Sequence, residues 1–320
     1  MKRTPSIAII GAGLTGLTVA RRLADAGLNP RVYDKGRGIG GRLATRRTDT
    51  GESFDHGAPF VTAGEAPFRT LLTDLVDNQA AAVWGPTGPW RGRKPWHVGV
   101  PGMSSLPRKL AEGLEVAKQS EVNALIRNGD AWSLEFTKDR APEEADIVVV
   151  AVPAPQAAKL LSPMSFAEQL TEVEMAPCLS LMVAFDRPLG LLFDALKAPS
   201  EDLAWVIRNS SKPGRLRLPE AWVAHASPEW SQMHLELERP TIADAMFQLL
   251  PEAMEIDLPE PTHLAGHRWR YALTTKPLGK AHLAEPDLGL YVGGDWCLGS
   301  TAEDAWKSGS ALATDLLAAL

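Results

Sequence analysis

Only two cysteines occur in the 320 residues, Cys178 and Cys297, far apart and without a CxxC pair. That scarcity excludes a disulfide framework and a thiolate metal site, and it suits a reducing compartment, so a cytoplasmic setting is expected. No apolar run approaches the roughly 20 residues of a membrane-spanning helix, so no membrane partner is expected. Basic residues number 33 against 39 acidic ones, a net charge of −6, so the charge balance gives nucleic acid no foothold. A Gly-x-Ser-x-Gly hydrolase elbow is missing, as are internal repeats, low-complexity tracts and heptads. Met1-Lys2-Arg3 ahead of Ile7 to Ile10 has the outline of a secretory leader, but the apolar segment is too short and runs into a glycine turn, so it reads as a strand. In a reducing compartment the Asn209-Ser210-Ser211 sequon is expected to be idle. The remaining composition, 45% hydrophobic and 22% charged, is that of a globular protein, and the length accommodates two domains.

The first 47 residues hold the strongest pattern. Ile7-Ala8-Ile9-Ile10 is an unbroken apolar run, as in a parallel strand buried on both faces. Gly11-x-Gly13-x-x-Gly16 follows, then a helix with Val19, Ala20 and Leu23 on one face, ended by Gly27. Arg31-Val32-Tyr33 forms a second strand closed by Asp34. Gly11 permits the tight turn, Gly13 lets the backbone approach a pyrophosphate, and Gly16 lets helix and strand pack closely. The phosphates would sit on free amides at the helix N-terminus, those of Leu14, Thr15 and Gly16. Asp34 comes about twenty residues on, where an acid accepts the ribose hydroxyls of an adenosine.

A second glycine-rich turn, Gly36-Arg37-Gly38-Ile39-Gly40-Gly41-Arg42, follows at once, and a simple nicotinamide dehydrogenase does not need one. The spacing Gly-x-Gly-x-x-Gly…Asp…Gly-Gly-Arg resembles the FAD-binding signature of the glutathione-reductase and amine-oxidase superfamily. The other end of the chain fits the same class. Leu290-Tyr291-Val292-Gly293-Gly294-Asp295-Trp296 supplies a C-terminal strand ending in Gly-Asp, whose carboxylate holds the ribityl or phosphate region in that superfamily. Glu303-Asp304-Ala305 then opens the last helix, whose positive end favours negative charge on a reduced flavin. The superfamily usually has Gly where this chain has Asp304. The resemblance implies non-covalent FAD held by Gly11, Gly13, Leu14, Thr15, Gly16, Asp34, Lys35, Gly41, Arg42, His56, Gly57, Ala58, Val122, Gly294, Asp295, Glu303, Asp304 and Ala305.

The fold expected is α/β, a Rossmann-type FAD domain with an interleaved mixed α+β substrate domain. The FAD domain is placed at 1–60, 98–160 and 286–320, and the substrate domain at 61–97 and 161–285. Within these, 54–58 reads as a short strand or turn and 102–113 as a helix. Strands are expected near 121–127, 131–136 and 146–152. Beyond about 160, helical patterns at 165–174 and 241–250 alternate with strands at 178–185, 203–208, 221–226 and 263–271. The stretch 61–97, rich in Pro, Gly and Trp, reads as an excursion out of the FAD domain.

Other constellations carry less. His263-x-x-x-His267 has metal-like spacing, but Gly266, strand-like surroundings and the lack of a nearby Cys or acid favour a structural pair, so no metal is expected. Arg91-Gly-Arg93-Lys94 reads as a solvated face, and Arg46 and Arg47 are open to either a solvated or a functional role. Ten tryptophans are many. Trp205, Trp222, Trp230 and Trp269 read as core, while Trp296, directly after Asp295, is expected near the flavin or a pocket entrance.

Two further segments narrow the family. Gly40-Gly41-Arg42-Leu43-Ala44-Thr45-Arg46-Arg47, Phe54-Asp55-His56-Gly57-Ala58-Pro59-Phe60 and Gly293 to Cys297 are joined by the segment from Trp222 to Ser231 and by Arg268-Trp269-Arg270-Tyr271-Ala272. Together they resemble the bacterial renalase-like flavoproteins over essentially the whole chain. That resemblance implies an oxidase taking hydride from 2- or 6-dihydronicotinamide isomers of NAD(P)H, giving NAD(P)+ and, with O2, hydrogen peroxide. Such a transfer needs no general base, because no proton leaves the donor carbon; it needs the donor held about 3–3.5 Å from the flavin nitrogen. A dinucleotide brings phosphates, for which Arg208, Arg215, Arg217, Arg268 and Arg270 are candidate cations. Trp296, Arg270, His225 and Tyr271 are the candidate substrate contacts. Two rivals stand beside this reading: an amine, porphyrinogen or carotenoid-like oxidase on the same fold, and a non-catalytic FAD or nucleotide redox sensor.

Overall fold

A computed structural model describes residues 3–89, 94–137, 140–162 and 166–320. Arg91 and Arg93 of the basic cluster lie outside the described residues. The chain divides into two compact units: 1–41, 107–175 and 274–320 in one, and 42–106 and 176–273 in the other.

The apolar runs Ile7–Ile10, Ile147–Val150 and Leu290–Val292 form the middle of the first unit. Its six-stranded sheet runs Leu283–Glu285, Leu290–Val292, Ile147–Val150, Ile7–Ile10, Arg31–Tyr33 and Glu115–Ala117 from edge to edge. All neighbours are parallel except Leu283–Glu285, which pairs antiparallel with Leu290–Val292 at one edge. Ile7–Ile10 and Ile147–Val150 are buried at every position, as strands covered on both faces must be. The helix Leu14–Asp25 follows the first strand, and Gly27, at φ +84°, takes the left-handed position just past its end. The helix Ala302–Ala319 packs against it at Gly309, where a Cβ would come 2.6 Å from the Thr15 carbonyl oxygen, so only glycine permits the crossing. Val122–Asn128, Ala131–Phe136 and Glu143–Ala145 make a separate three-stranded antiparallel sheet in the same unit. Their Leu125, Trp132, Leu134 and Phe136 join the core around Val148, Val150 and Trp296.

The second unit is built on a five-stranded sheet ordered Ala195–Lys197, Leu203–Arg208, Glu220–Ala226, Glu174–Phe185 and His263–Lys276. Its core gathers Leu179, Leu181, Val183 and Phe185 with Trp222, Trp230, Ile242 and Met246. The expected helix at 102–113 is shorter, Ser105–Leu110, and the one at 165–174 is Phe166–Leu170. The stretch 61–97 contains elements the sequence did not announce: the helix Ala66–Asp77 and the hairpin of Ala81–Trp84 with Trp96–Gly99.

The unit boundaries fall at 41, 106, 175 and 273 instead of 60, 97, 160 and 285. The largest shift has a simple cause. The hairpin of Arg46–Arg47 with Ser53–Phe54 belongs to the second unit, because the Asn209 amide donates to the Ser53 carbonyl at 2.6 Å and Phe54 packs with Met182, Ala184 and Val223.

Candidate functional site

In the first unit, residues from both ends of the sequence form one cradle. Gly11 sits at φ +106°, and a Cβ there would meet the Ala151 carbonyl oxygen. A Cβ on Gly16 would meet the Gly11 carbonyl oxygen, whereas nothing lies within 4 Å of the place a Gly13 Cβ would take. Two glycines are thus required by packing, and the third leaves open space beside the helix start. Gly13 caps the helix without any side-chain hydrogen bond, which leaves the first-turn amides to an external acceptor. Asp34 closes the turn: its Oδ2 accepts from the Ala12 amide and its Oδ1 from the Gly36 amide, each at 2.7 Å. A carboxylate has about four acceptor positions, so ribose hydroxyls can still be received. The Gly40 amide donates to the Ala12 carbonyl at 2.8 Å, bringing the second glycine turn onto the first. From the far end of the chain, the Ala305 carbonyl accepts from Thr15 Oγ1 at 2.9 Å and Ser308 Oγ accepts from the Gly294 amide at 3.1 Å. Asp295 and Glu303 are buried, Asp304 closes a capping box with Thr301, Val122 is half-buried and Lys35 is exposed. The donor set, free amides at a helix start plus a carboxylate on the next strand, fits a dinucleotide cofactor.

Trp296 does not stand at a pocket. It is fully buried in the first unit's core, and its Nε1 donates to the Val152 carbonyl at 3.0 Å. Burial of a large apolar ring outweighs its place next to Asp295. Gly294 is glycine because a Cβ would run into this indole. Cys297 is also buried, and burial pushes its thiol up to about 12, which disfavours the thiolate.

His56, Gly57, Ala58 and Arg42 lie in the second unit. The Ala58 amide donates to the Arg42 carbonyl at 2.7 Å, and Gly57 is bare because a Cβ would strike that same carbonyl oxygen. His56 is the centre of an aromatic group. Its ring lies 5.2 Å from Trp269, stacked, and 4.6 Å from His267, edge-on. Its carbonyl receives Trp269 Nε1 at 2.8 Å and His225 Nε2 at 3.3 Å; since a carbonyl only accepts, His225 carries its proton on Nε2. His263, His267 and Trp269 share one face of the long strand His263–Lys276 by simple alternation, and His263 stacks on Phe54 at 5.0 Å.

Beneath His56 lies a buried ionic group. Asp55 Oδ2 accepts from Lys212 Nζ at 3.0 Å and Arg215 Nη2 at 2.5 Å, and its Oδ1 accepts from Thr45 Oγ1 at 2.8 Å and the Met103 amide at 2.9 Å. The side chains of Asp55 and Lys212 are 0% exposed and that of Arg215 1%. Asn209 Oδ1 takes a further Lys212 hydrogen bond at 3.0 Å and the Asp55 amide at 3.3 Å. The sequon's asparagine is therefore a fully buried structural residue. Burial would raise the Asp55 carboxyl, but Lys212, Arg215 and the Met103 amide hold it far below the usual carboxylate range. Burial lowers the Lys212 ammonium to about 8 against the pull of Asp55. Burial also lowers His56 and His225 to about 4 and His267 to about 3, with Arg46 adding to the effect on His56 and His267 and Lys212 to that on His225. All three imidazoles are neutral at pH 7.

Arg268 and Arg270, on the opposite face of the same strand, both pair with Glu236, Arg270 at 2.6 and 3.0 Å. Arg270 can reach a substrate phosphate only by leaving that carboxylate. Arg208 donates to the Leu191 and Phe193 carbonyls and lies over Trp222, a structural arrangement. Trp205 packs with Phe60 and Trp96, Trp222 and Trp230 are core, and Tyr271 is half-buried. Sequence reasoning missed Lys212 altogether, since a lone lysine between Ser211 and Pro213 has no distinguishing spacing, and took His267 as half of a structural pair with His263.

The family model of flavin-containing amine oxidoreductases matches residues 77–317, and that of an NAD(P)-binding Rossmann-like domain matches 9–75. The chain belongs to the flavin-containing amine oxidoreductase family. Members of this family are FAD-dependent oxidoreductases, and FAD is the family's cofactor. Curated relatives match over short stretches. Lysine-specific histone demethylase 1 homolog 3 of Arabidopsis thaliana is 32% identical over 139 residues, 42% of this chain and 8% of that protein. Protoporphyrinogen oxidase 2 of the same plant is 36% identical over 69 residues, 22% of this chain and 13% of that protein. The chain thus matches only a small part of these relatives' length. Among solved structures, a candidate protoporphyrinogen oxidase from Exiguobacterium sp. 255-15 superposes with a TM-score of 0.77 at 16% identity over 99% of both chains. A putrescine oxidase bound to putrescine gives 0.70 at 14% identity over 98% of this chain and 99% of that one. At such identities these two establish the fold. Among the described residues no helix is long and apolar enough to cross a membrane.

Proposed function

We propose that this family member oxidises 2- or 6-dihydronicotinamide isomers of NAD(P)H, returning NAD(P)+ and passing the electrons to O2 as hydrogen peroxide. The charge around His56 carries the reading. Arg46, Lys212, Arg215 and Arg239 are the cations acting on this group of residues, against Asp55 and Glu52. An excess of positive charge suits an anionic, phosphate-bearing substrate and opposes a cationic amine. Bound FAD supplies the hydride-accepting flavin ring. The chain's own residues orient and exclude water: Trp269, His267 and His56 offer flat, uncharged rings against which a nicotinamide can lie. Neutral His267 and His56 take up no proton at pH 7, which suits a transfer without proton abstraction. The whole-chain resemblance to renalase-like flavoproteins points the same way.

A porphyrinogen substrate is the second reading, because its carboxylates also suit the positive surroundings. Anaerobic mixing decides between them. The 2- and 6-dihydro isomers are expected to bleach the flavin absorbance rapidly, and 4-dihydro NADH, diamines and porphyrinogens far more slowly. A misplacement of about 1 Å can cost on the order of a hundredfold. Rapid bleaching by an amine or a porphyrinogen, with the isomers inert, overturns the proposal. Absence of bleaching by any donor, with FAD bound, favours a redox sensor. Denaturation is expected to release FAD unmodified; flavin that stays with the chain refutes non-covalent binding.

A further inference from the structure

Asp55 is adjacent in sequence to His56, and the two face different tasks. The carboxylate is completely buried and filled on both oxygens by Lys212, Arg215, Thr45 and the Met103 amide. The His56 carbonyl, one peptide unit away, is the common acceptor for Trp269 Nε1 and His225 Nε2. These are donors from the two strands His263–Lys276 and Glu220–Ala226. Arg215 also donates to the Gly99 and Pro213 carbonyls, and Lys212 to Asn209, so Asp55 gathers three chain segments, at 45, 99–103 and 209–215, on a single point. A surface residue before a histidine would have none of these constraints. Burying one carboxylate with two cations is costly unless its geometry is used.

We propose that Asp55 is the positioning residue of the His56–His225–Trp269 group: clamped by Lys212 and Arg215, it fixes the His56 carbonyl so that the indole and the imidazole are held in one orientation. The proposal rests on the second unit being the substrate-handling half. Positioning can be separated from electrostatics by counting charge. The native trio carries −1, +1 and +1. Lys212→Met leaves Asp55 bonded to Arg215, Thr45 and Met103 and removes one unit of positive charge. Asp55→Asn combined with Lys212→Met restores the native net charge of +1 but loses the carboxylate clamp.

The test uses the FAD-loaded full chain. Solvent exchange of the Trp269 indole proton is followed by NMR, with Trp269→Phe to assign it. The limiting rate of flavin reduction is measured with whichever donor acts fastest. Lys212→Met is expected to keep the indole exchange within about twofold of native and to raise the His225 pKa, since a nearby cation has gone. The double variant is expected to exchange its indole proton at least tenfold faster. It should also lose roughly ten- to a hundredfold in limiting rate, with a far smaller change in KM, because orientation and not uniform binding has been lost. Native exchange and rate in the double variant overturn the proposal. Equal losses in both variants overturn it, because the two share only the loss of Lys212 and the carboxylate then adds nothing. If the double variant does not fold, the native protein decides: slow indole exchange supports the clamp, and exchange at the rate of a free indole refutes it. Failure of the dihydronicotinamide reading leaves the indole measurement intact, so the two failures are distinguishable.

Discussion

The two units handle buried polarity in opposite ways. The cradle of the first unit is made almost entirely of backbone: amides left free at a helix start, glycines whose missing Cβ atoms let carbonyls approach, and Asp34 as the one side chain tying two amides. The corresponding feature of the second unit is made of side chains: Asp55, Lys212, Arg215 and Asn209, with three neutral imidazoles and an indole arranged around the His56 carbonyl. A backbone cradle has no room for an added methyl at Gly11 or Gly16. A side-chain cluster tolerates methyls but not the loss of one charge. That difference is what the following expectations probe.

The largest effect is expected in the cradle. Gly16→Val puts atoms onto the Gly11 carbonyl in a place with no room to yield, and the purified protein should be colourless or unfolded. FAD content near one per chain in that variant would show that the cradle is not the cofactor site. In the second unit, Asp55→Asn alone strands two buried cations, and urea unfolding should report a loss of about 3–5 kcal/mol. A loss under about 1 kcal/mol would mean that water reaches Lys212 and the trio is not sealed.

Asp34→Ala sharpens the comparison from the other side, since it removes the carboxylate that ties the two glycine turns of the cradle. Losing charge-assisted hydrogen bonds worth about 1.5–3 kcal/mol each should weaken FAD retention roughly tenfold or more, read by equilibrium dialysis. The imidazoles give a pH signature confined to the second unit. His56 and His225 are lowered to about 4 and His267 to about 3, whereas an unfolded histidine titrates near 6.5. Between about pH 6.5 and 4 the unfolded chain binds more protons, so stability falls as the pH drops through that window. His225→Gln should make the urea midpoint less pH-dependent there; an unchanged slope would show that His225 is not held neutral. The smallest effect belongs to Arg270→Ala. Its exposed pair with Glu236 contributes nothing measurable to stability, so any rise in dinucleotide Kd at unchanged limiting reduction rate would mark a substrate phosphate contact. An unchanged Kd removes Arg270 from the substrate site.

Legibility followed the same divide. The strands Ile7–Ile10, Arg31–Tyr33, Ile147–Val150 and Leu290–Val292 were expected from apolar runs, and the glycines from their spacing. Four of the five strands of the second unit's main sheet were also visible as strands, though His263–Lys276 runs beyond the expected end, Glu174–Phe185 starts earlier and Ala195–Lys197 was not expected. The helix Ala66–Asp77 was hidden by the Pro, Gly and Trp of its surroundings. Trp296 shows the limit of proximity in sequence: a place next to Asp295 does not say whether a side chain turns into a core.

The sequence by itself determined what depends on local periodicity and on glycine: the parallel sheet, the glycine turn after its first strand, the acid that closes it, and the amine-oxidase superfamily. Those features are set within a few residues, because backbone conformation and free amides are local properties. Tertiary structure alone decided the charge group. Residues 45, 55, 103, 209, 212 and 215 come together only when the strands of the second unit have packed. Burial, which turns an ordinary lysine, aspartate and arginine into one clamped unit and keeps three histidines neutral, is a property of the packed interior and has no counterpart in sequence spacing.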